Sequence, residues 1–531
     1  FYGVEIEEFP AQIAQVAMWL MDHQMNLRVS EEFGLYFARI PLKASANIVC
    51  GNALRLDWNE VVAAEKCSFL MGNPPFIGHQ WRNAEQMADM AQIWGSDGRF
   101  GRLDYVTCWH RKATDYMRLN SAITAALVST NSICQGEQVG TLWGWMLAQG
   151  VKIHFAHRTF SWSNEAKGKA AVHVVIVGFG LGDSAEKTIF EYEDIKGEPH
   201  AAKACNINPY LVDAPDIILP SRTNTPPGLP QLIKGSQPTD GGHLIVTEAE
   251  KLELVAAEPM AEKWLRPYIG GEELINGGQR WCLWLKAISP GGLKVMPMVM
   301  KRIAAVAESR RASPTKSVRE FANQPTLFTQ DRQPNSAYLA VPEVSSENRR
   351  FIPIGFLQPE VITSNQLQII EGGTIFHFGI MSSTMYNSWM RTVCGRLESR
   401  YRHSPAVYNN FPWPDFPSSP ALLPAGEGSK SPSPSGRGVG VRERIEAAAQ
   451  AVLDVRAQFP CSTLADLYDP LTMPPALLKA HQALDKAVDA AYGKTSFKSE
   501  AERVAFLFER YQQLTSLLLA ASSGKTRGKK K

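Results

Sequence analysis

Apolar and polar positions follow two patterns along the chain, and the change between them falls near residue 206. Before it, short apolar runs alternate with segments whose apolar residues recur at helical spacing. The apolar run at 67–72 predicts a buried strand, and the run at 2–6 predicts a short strand. Between them, apolar residues at helical spacing predict a helix over 10–27. A strand and turn are predicted at 47–54. Further strands are predicted at 122–130, 151–156 and 171–179, and further helices at 57–65, 103–119 and 137–149. Such alternation is typical of a parallel sheet covered by helices.

Past residue 206 the alternation stops, and prolines, glycines and short strand-like pieces replace it as far as residue 416. The stretch 417–441 is rich in Pro, Gly and Ser and is predicted to be a disordered insertion, because it cannot bury enough apolar area to fold. Helices are predicted at 442–459, 475–492 and 500–521, followed by a basic tail at 524–531. The expected fold is an α/β, doubly wound sheet domain at 1–205, an α+β domain at 206–416 and a helical bundle at 442–523.

Composition narrows the class of protein. Hydrophobic residues make up 44% and charged residues 20% of the 531 residues, which are values of a large globular protein. No apolar run reaches the roughly 18 residues of a membrane span, and no signal peptide is recognised, so a cytoplasmic protein is expected. The 8 cysteines form no C-x-x-C pair and the 11 histidines show no ligand-like spacing, so no metal site is expected. A net charge of +3 does not by itself indicate nucleic-acid binding.

The apolar run at 67–72 stops at Asn73-Pro74-Pro75-Phe76, which is the strongest candidate for chemistry in the sequence. Proline has no N–H and a fixed φ, so two prolines stiffen the loop. The Asn73 amide oxygen and the Pro74 carbonyl can accept the two hydrogens of an exocyclic amine, while Phe76 stacks on its ring. This arrangement suits methyl transfer to a planar amine by positioning alone, without a metal. The alternative is a Pro-Pro turn that ends a strand beside an ordinary core phenylalanine.

Two polar positions at strand ends support the first interpretation. Glu5 ends the strand predicted at 2–6, and a carboxylate at the end of the second strand of a doubly wound sheet binds the ribose of a nucleotide. Asn52 follows the next predicted strand, where its amide can face the adenine of a nucleoside cofactor. Taken singly, Glu5 is typical of a surface carboxylate and Asn52 of a turn. Their order and spacing ahead of Asn73 favour a cofactor site.

With these motifs the sequence resembles the amino-group DNA methyltransferases, and more closely the MmeI-like group. In that group a methyltransferase, a target recognition domain and often a nuclease share one polypeptide. The resemblance covers about 1–414 and 443–511 and implies S-adenosylmethionine as cofactor. The site residues that it implies are cofactor-binding Glu5, Ile6, Asn52 and Ala53 and catalytic Asn73, Pro74, Pro75 and Phe76. Asparagine at the start of the loop is typical of the enzymes of this family that methylate adenine N6. Cytosine N4 stays open as the alternative methylated atom.

The resemblance also implies a pocket for a base rotated out of the duplex, because the loop cannot reach an amine inside a stack. Phe76 is expected to form one face of this pocket. Phe160, with Trp162 and Asn164 nearby, is the candidate for the second face. A core or loop aromatic is the alternative for Phe160.

The resemblance implies that the domain at 206–416 is a target recognition domain that binds double-stranded DNA. The helical bundle is expected to brace this domain or to clamp DNA. Basic residues interleaved with aromatics suit phosphate contacts and groove readout. A basic helix is predicted over 301–319. The residues expected to contact DNA are Arg280, Lys301, Arg302, Arg310, Arg311, Lys316 and Arg319. The alternative for each cluster is a solvated helix face.

The family's glycine-rich loop, which follows the first strand and holds the methionine part of the cofactor, is not found. The pattern starts at the second strand, and Gly178-Phe-Gly-Leu-Gly182 is interpreted as a loop because it leads to no helix. The expectation is an N-terminally truncated chain that lacks part of its cofactor site, with any nuclease domain upstream. Two rival functions stay open: a DNA-binding fragment without catalysis, and an RNA or protein N-methyltransferase with the same loop. The large second half of the chain disfavours the latter.

Overall fold

The computed structural model of the protein describes residues 1–34, 46–95, 98–162, 172–397, 399–414 and 435–524. The chain divides into two compact units, Phe1–Leu219 (unit 1) and Pro220–Lys531 (unit 2). Asn164, the expected insertion as far as residue 434 and the basic tail from Lys525 lie outside the described residues. Unit 1 contains the Asn-Pro-Pro-Phe loop.

Unit 1 has two sheets among its described residues. In the smaller sheet, β1 (Tyr2–Glu5) runs parallel to β2 (Asn47–Cys50). The larger sheet has the order β3-β4-β6-β5-β7-β8. Its strands are β3 (Phe69–Gly72), β4 (Thr124–Thr130), β5 (Lys152–Trp162), β6 (Val172–Gly180), β7 (Lys187–Glu191) and β8 (His200–Ala204). β3 and β4 are parallel, whereas β6 is antiparallel to both β4 and β5. The predicted α/β class is confirmed, although the strands fall into two sheets.

Five α-helices belong to the described part of unit 1, and apolar residues of α5 such as Val139, Leu142 and Trp143 are fully buried. The helices are α1 (Glu8–Phe33), α2 (Trp58–Val61), α3 (Ala84–Trp94), α4 (Thr107–Met117) and α5 (Glu137–Ala148). The apolar pattern of the sequence predicts no helix at α3. This helix begins at a capping box, in which the side chains of Asn83 and Gln86 each accept the other's backbone N–H at 2.9 Å.

Three predictions about strands of unit 1 are wrong in detail. The run at 67–72 is predicted to be buried, but Phe69 is 77% and Met71 is 84% exposed. β5 continues to Trp162, beyond the predicted end at 156. Gly178 lies in β6 rather than in a loop, and glycine is required there because a Cβ would lie 2.1 Å from the ring of Phe155.

Unit 2 contains short strands in several small sheets. The strands are β9 (Leu232–Lys234), β10 (Ile245–Thr247), β11 (Leu265–Ile269), β12 (Arg280–Leu283), β13 (Tyr338–Pro342), β14 (Val344–Ser345), β15 (Gly355–Leu357), β16 (Ile362–Thr363), β17 (Leu367–Glu371), β18 (Gly395–Leu397) and β19 (Arg400–Arg402). Their orders in the sheets are β10-β12-β11-β16, β15-β13-β17-β9 and β14-β19-β18. Buried Leu244, Val246 and Leu283 belong to a core that also includes Val299 and Val306.

The helices of unit 2 flank these sheets and form the carboxyl-terminal bundle. They are α6 (Glu248–Ala257), α7 (Gly271–Asn276), α8 (Pro290–Lys294), α9 (Pro297–Arg311), α10 (Lys316–Glu320), α11 (Ile375–Met381), α12 (Thr384–Val393), α13 (Pro405–Asn410), α14 (Ser435–Ala457), α15 (Leu464–Leu467), α16 (Pro475–Ala491) and α17 (Glu500–Gly524). Gly379 of α11 allows close packing in the bundle, since a Cβ there would lie 3.0 Å from Ala449 of α14.

Two helix predictions in unit 2 are wrong at their boundaries. The basic helix predicted over 301–319 is two helices, α9 and α10, because the chain leaves helical conformation between Arg311 and Lys316. α14 starts at Ser435 rather than at 442, so the predicted insertion extends too far into the bundle. Among the described residues, no helix has both the length and the apolar character that crossing a membrane requires.

Candidate active site

Glu5 and Asn52 lie at the same edge of the small sheet. β1 and β2 are parallel, Glu5 pairs with Cys50, and Asn52 follows two residues later, so both lie at the carboxyl ends of their strands. One carboxylate oxygen of Glu5 accepts the N–H groups of Ile6 (2.9 Å) and Glu7 (3.4 Å). Within the described ranges the other oxygen is not bonded, so it can accept hydrogen bonds from hydroxyl groups.

The Asn52 amide is held on both sides. Its Nδ2 donates to the carboxylate of Asp89 (3.1 Å), and its Oδ1 accepts the N–H of Leu54 (2.9 Å). Because a carboxylate only accepts and an N–H only donates, these partners fix the orientation of the amide. The ammonium of Lys112 donates to the carbonyls of Ala53 (2.8 Å) and Leu54 (2.9 Å), which holds the adjoining backbone. The amide of Asn52 is thus held in one orientation, and one N–H donor and one acceptor site of this amide remain available to a ligand.

Asp89 of α3 is the centre of this polar network and is only 2% exposed. Its carboxylate also accepts the hydroxyl of Tyr105 and the Nε of Arg55, each at 2.7 Å. Burial opposes ionisation, but the hydrogen bonds from Tyr105, Arg55 and Asn52 hold the pKa of Asp89 below its usual range. Burial, together with the bond to Asp89, raises the pKa of Tyr105. Near neutral pH the carboxylate is therefore charged and the phenol remains a donor.

The Asn-Pro-Pro-Phe loop leaves β3 at its carboxyl end. Asn73 is exposed, and its amide has no hydrogen-bond partner in the part of the chain that the structure describes. Pro74 is buried, Pro75 is exposed and Phe76 is half-buried. Beyond them, the N–H of Tyr105 donates to the carbonyl of Ile77 (2.9 Å), which fixes the end of the loop. A polar amide is thus presented on a restrained backbone.

Asp104 extends this restraint to the end of β4. Its carboxylate accepts the hydroxyls of Thr130 (3.1 Å) and Ser132, and its N–H donates to the side chain of Gln138 (2.9 Å). Asp104 is 7% exposed and directly precedes Tyr105. The two residues together therefore tie the loop after β3 to the carboxyl end of β4.

Phe160 lies in β5, opposite Val174 of β6 and next to an irregularity in the strand pairing. Its ring is stacked on that of Tyr192, with centroids 5.0 Å apart, and lies 6.1 Å from that of Trp162. One face of Phe160 is therefore occupied by the protein itself. No ring contact joins Phe160 to Phe76 among the described residues, and its role in a base pocket stays a prediction.

Arg310 is wrongly predicted as a DNA contact. It is 1% exposed, and its guanidinium donates five hydrogen bonds to backbone carbonyls. The acceptors, at distances of 2.7 to 3.2 Å, are Thr239, Phe321, Gln324, Pro238 and Leu327. Burial lowers its pKa. With its donors consumed inside unit 2, Arg310 cannot reach a phosphate group.

Other basic residues predicted to bind DNA fall into two groups. Arg280 is paired with Glu273 at 2.5 Å and Arg302 with Glu250 at 2.5 Å, so each of the two guanidinium groups has an internal carboxylate partner. The exposed group consists of Lys301, Arg311, Lys316 and Arg319. These four side chains are accessible to a phosphate backbone, although one guanidinium nitrogen of Arg319 also donates to the carbonyls of Ser313 (2.8 Å) and Pro314 (2.7 Å). Their role in DNA binding stays a prediction.

Asp89 was not among the predicted site residues, because a single carboxylate in an unpredicted helix is indistinguishable by sequence from a surface acid. The signal that could have located α3 is the spacing of Asn83 and Gln86, which is typical of a capping box. No group of three or more His, Cys, Asp or Glu that could hold a metal is found among the described residues.

A carboxylate and an asparagine at the ends of parallel strands, ahead of an Asn-Pro-Pro-Phe loop, are typical of the class of DNA amino-methyltransferases. Three family models match the chain. They are the MmeI DNA-methyltransferase domain over residues 1–191, the MmeI target recognition domain over 213–415 and the MmeI C-terminal domain over 440–519. The chain belongs to the MmeI family, which confirms the resemblance predicted from its motifs.

Two relatives agree with this assignment. One is a solved structure of the Type IIL restriction-modification enzyme MmeI in complex with DNA, which is 50% identical in sequence and superimposes with a TM-score of 0.82. The match covers 97% of this chain and 66% of the MmeI chain. DNA methyltransferase A of Bacillus subtilis (strain 168) is 36% identical over 97% of this chain and 56% of its own length. The chain thus spans just over half the length of that relative and about two thirds of the MmeI chain.

Proposed function

We propose that the protein transfers a methyl group from S-adenosylmethionine to N6 of adenine in duplex DNA, as part of a restriction–modification system. The observation that carries this proposal is the exposed Asn73 amide on a restrained loop at the end of β3. That loop is connected through Tyr105 and Asp89 to Asn52, the expected contact of the cofactor. Membership of the MmeI family supports the substrate class.

The residues present fit the cofactor. Glu5 has a carboxylate oxygen available for ribose hydroxyls, with Ile6 beside it. Asn52 keeps a donor and an acceptor for the adenine, next to Ala53. S-adenosylmethionine supplies an electrophilic methyl group when it is bound. We therefore assign the cofactor contacts to these four residues.

The chemistry required of the loop is orientation of a weak nucleophile. The Asn73 Oδ1 and the Pro74 carbonyl would accept the two hydrogens of the target amine, which favours a pyramidal nitrogen with its lone pair directed outwards. Pro75 stiffens the loop. Phe76 would stack on one face of the extruded base and Phe160 on the other. Fixed acceptors of this kind need no reorganisation during the reaction.

We further propose that the segment matched by the target recognition domain binds double-stranded DNA. Its exposed cations Lys301, Arg311, Lys316 and Arg319 would contact phosphates, which fix the register of a protein on DNA. The carboxyl-terminal bundle would brace this domain. Methylation of DNA also fits the cytoplasmic location expected from the sequence. A nuclease domain in the full-length protein is part of the same proposal.

The test is methyl transfer by the full-length protein, with labelled S-adenosylmethionine and separate DNA, RNA and protein substrates. We expect label in duplex DNA and, after digestion to nucleosides, in N6-methyladenine. Label in N4-methylcytosine would contradict the assigned base. Label confined to RNA or protein would contradict the substrate class, and a protein that binds specific DNA without transferring label would be a binding protein only.

A further inference from the structure

A single buried carboxylate connects two parts of the candidate site that belong to different sheets. Asn52 follows β2 of the small sheet, and Asn73 follows β3 of the large sheet. No strand pairing joins these two sheets in the described part of unit 1. Another element must therefore hold the two asparagines in a fixed relation. The side chains that meet at Asp89 of α3 form such a connection.

The connection can be followed atom by atom. Asp89 accepts Nδ2 of Asn52 at 3.1 Å, which orients the amide of that residue. The same carboxylate oxygen accepts the hydroxyl of Tyr105 at 2.7 Å. The backbone N–H of Tyr105 then donates to the carbonyl of Ile77 at 2.9 Å, four residues beyond Asn73. Two hydrogen bonds to one oxygen, together with this backbone hydrogen bond, thus join the cofactor side of the site to the loop.

Packing alone does not account for a carboxylate at this position. The helix α3 buries Met90 and Trp94 beside Asp89, so apolar residues already supply its contact with the core. A buried carboxylate is unfavourable unless its charge is compensated. Here three donors from Asn52, Tyr105 and Arg55 converge on it. Such an acceptor is well suited to hold several donors in one geometry.

We propose that Asp89 is a positioning residue for methyl transfer, which sets the orientation of Asn52 and, through Tyr105, the place of the Asn73 loop. The inference rests on the proposed function, because it assigns Asn52 to the cofactor and Asn73 to the target amine. Asp89 touches neither reactant in this account. Its effect is to keep the donor side and the acceptor side of the reaction aligned.

Two substitutions remove the connection at different points. Asp89→Asn keeps the volume but places an NH2 group among donors, and Tyr105→Phe removes only the hydroxyl. The matched control is Tyr116→Phe on α4, since Tyr116 is equally buried (6% against 5%) and its hydroxyl bonds the carbonyl of Val62 outside the network. All variants are first checked for an unchanged melting temperature relative to the control.

The first readout is hydrogen–deuterium exchange of the full-length protein without cofactor. We expect faster exchange in peptides that cover 52–56 and 73–78 in both Asp89→Asn and Tyr105→Phe, but not in Tyr116→Phe. The second readout is calorimetry with S-adenosylmethionine, where we expect each variant to bind about tenfold more weakly, as for the loss of a hydrogen bond to a charged group. The double variant should be no weaker than Asp89→Asn, because both changes break one connection.

The outcomes separate this inference from the proposed function. Exchange that is unchanged at 73–78 in both variants overturns the positioning role, whatever the activity of the wild type. Effects of Tyr116→Phe as large as those of Tyr105→Phe also overturn it, since they would reflect general loss of stability. A wild-type protein that binds no S-adenosylmethionine overturns the proposed function, and the assignment of Asp89 to methyl transfer with it.

Discussion

Asn73 in unit 1 and Arg310 in unit 2 are opposite cases of a polar residue that the sequence makes conspicuous. Asn73 is exposed on a proline-stiffened loop, and its amide has no partner among the described residues. Arg310 is 1% exposed and donates five hydrogen bonds to backbone carbonyls. The hydrogen-bonding capacity of Asn73 is available to a ligand, whereas that of Arg310 is used by the fold.

These two residues show which sequence signals lead to a functional site. A short motif at the end of a strand fixes both the residue type and its place in the fold, so Asn73 is presented where the motif predicts. A run of basic residues fixes only composition. Whether Arg310 faces solvent or the core depends on loops that arrive from elsewhere in the chain, near residues 238 and 327.

The largest expected effect on stability comes from Arg310→Met. The substitution keeps much of the length of the side chain but leaves five buried carbonyls without donors, and we expect a loss of about 3–5 kcal/mol in the free energy of unfolding. Chemical denaturation measures it. The control is Arg311→Met, at the exposed neighbouring position, with a change of about 0.5 kcal/mol or less. Equal effects of the two substitutions would contradict the structural role of Arg310.

A smaller effect is expected from acid. Burial lowers the pKa of His377 to about 4 and those of His403 and His481 to about 3. These groups bind fewer protons folded than unfolded, so their contribution to stability is present above about pH 6.5 and is lost as the pH falls towards the folded pKa. Burial raises the pKa of Asp485 and Asp489, which act in the opposite direction.

The net result of these opposing groups is a loss of about 1–3 kcal/mol in the free energy of unfolding of unit 2 between pH 7 and pH 5. Denaturation at the two pH values, with exchange in peptides of unit 2 as the local readout, measures it. Stability that stays constant or rises on acidification would contradict a net effect dominated by the buried histidines. It would also weaken the contrast between the buried polar groups of unit 2 and the exposed amide of Asn73.

The smallest effect is expected from Lys316→Ala. Lys316 is exposed at the start of α10, so its removal should leave stability unchanged. If it contacts one phosphate, DNA affinity falls modestly and the slope of log K against log salt concentration decreases by about 0.9. Fluorescence anisotropy at several salt concentrations measures this slope. A slope equal to that of the wild type would remove Lys316 from the DNA interface.

The limits of prediction from sequence follow the range of the interactions. The strand that ends just before Asn73, and the positions of Glu5 and Asn52 at the ends of their own strands, depend on local patterns, so they could be predicted. Asp89 could not, because its role arises from donors located 34 and 37 residues earlier and 16 residues later in the chain. The exposed face of β3 was missed for a similar reason, since an apolar run does not reveal what covers it.

The central claim is that the Asn73 amide orients the target amine and does little else. The most direct measurement is single-turnover methylation of duplex DNA by Asn73→Ala, with DNA affinity and melting temperature determined on the same preparation. We expect the rate to fall by about 10²–10³, as for other preorganised polar contacts, while DNA binding and stability stay close to the wild type. Methylation within a few-fold of the wild-type rate would contradict the account.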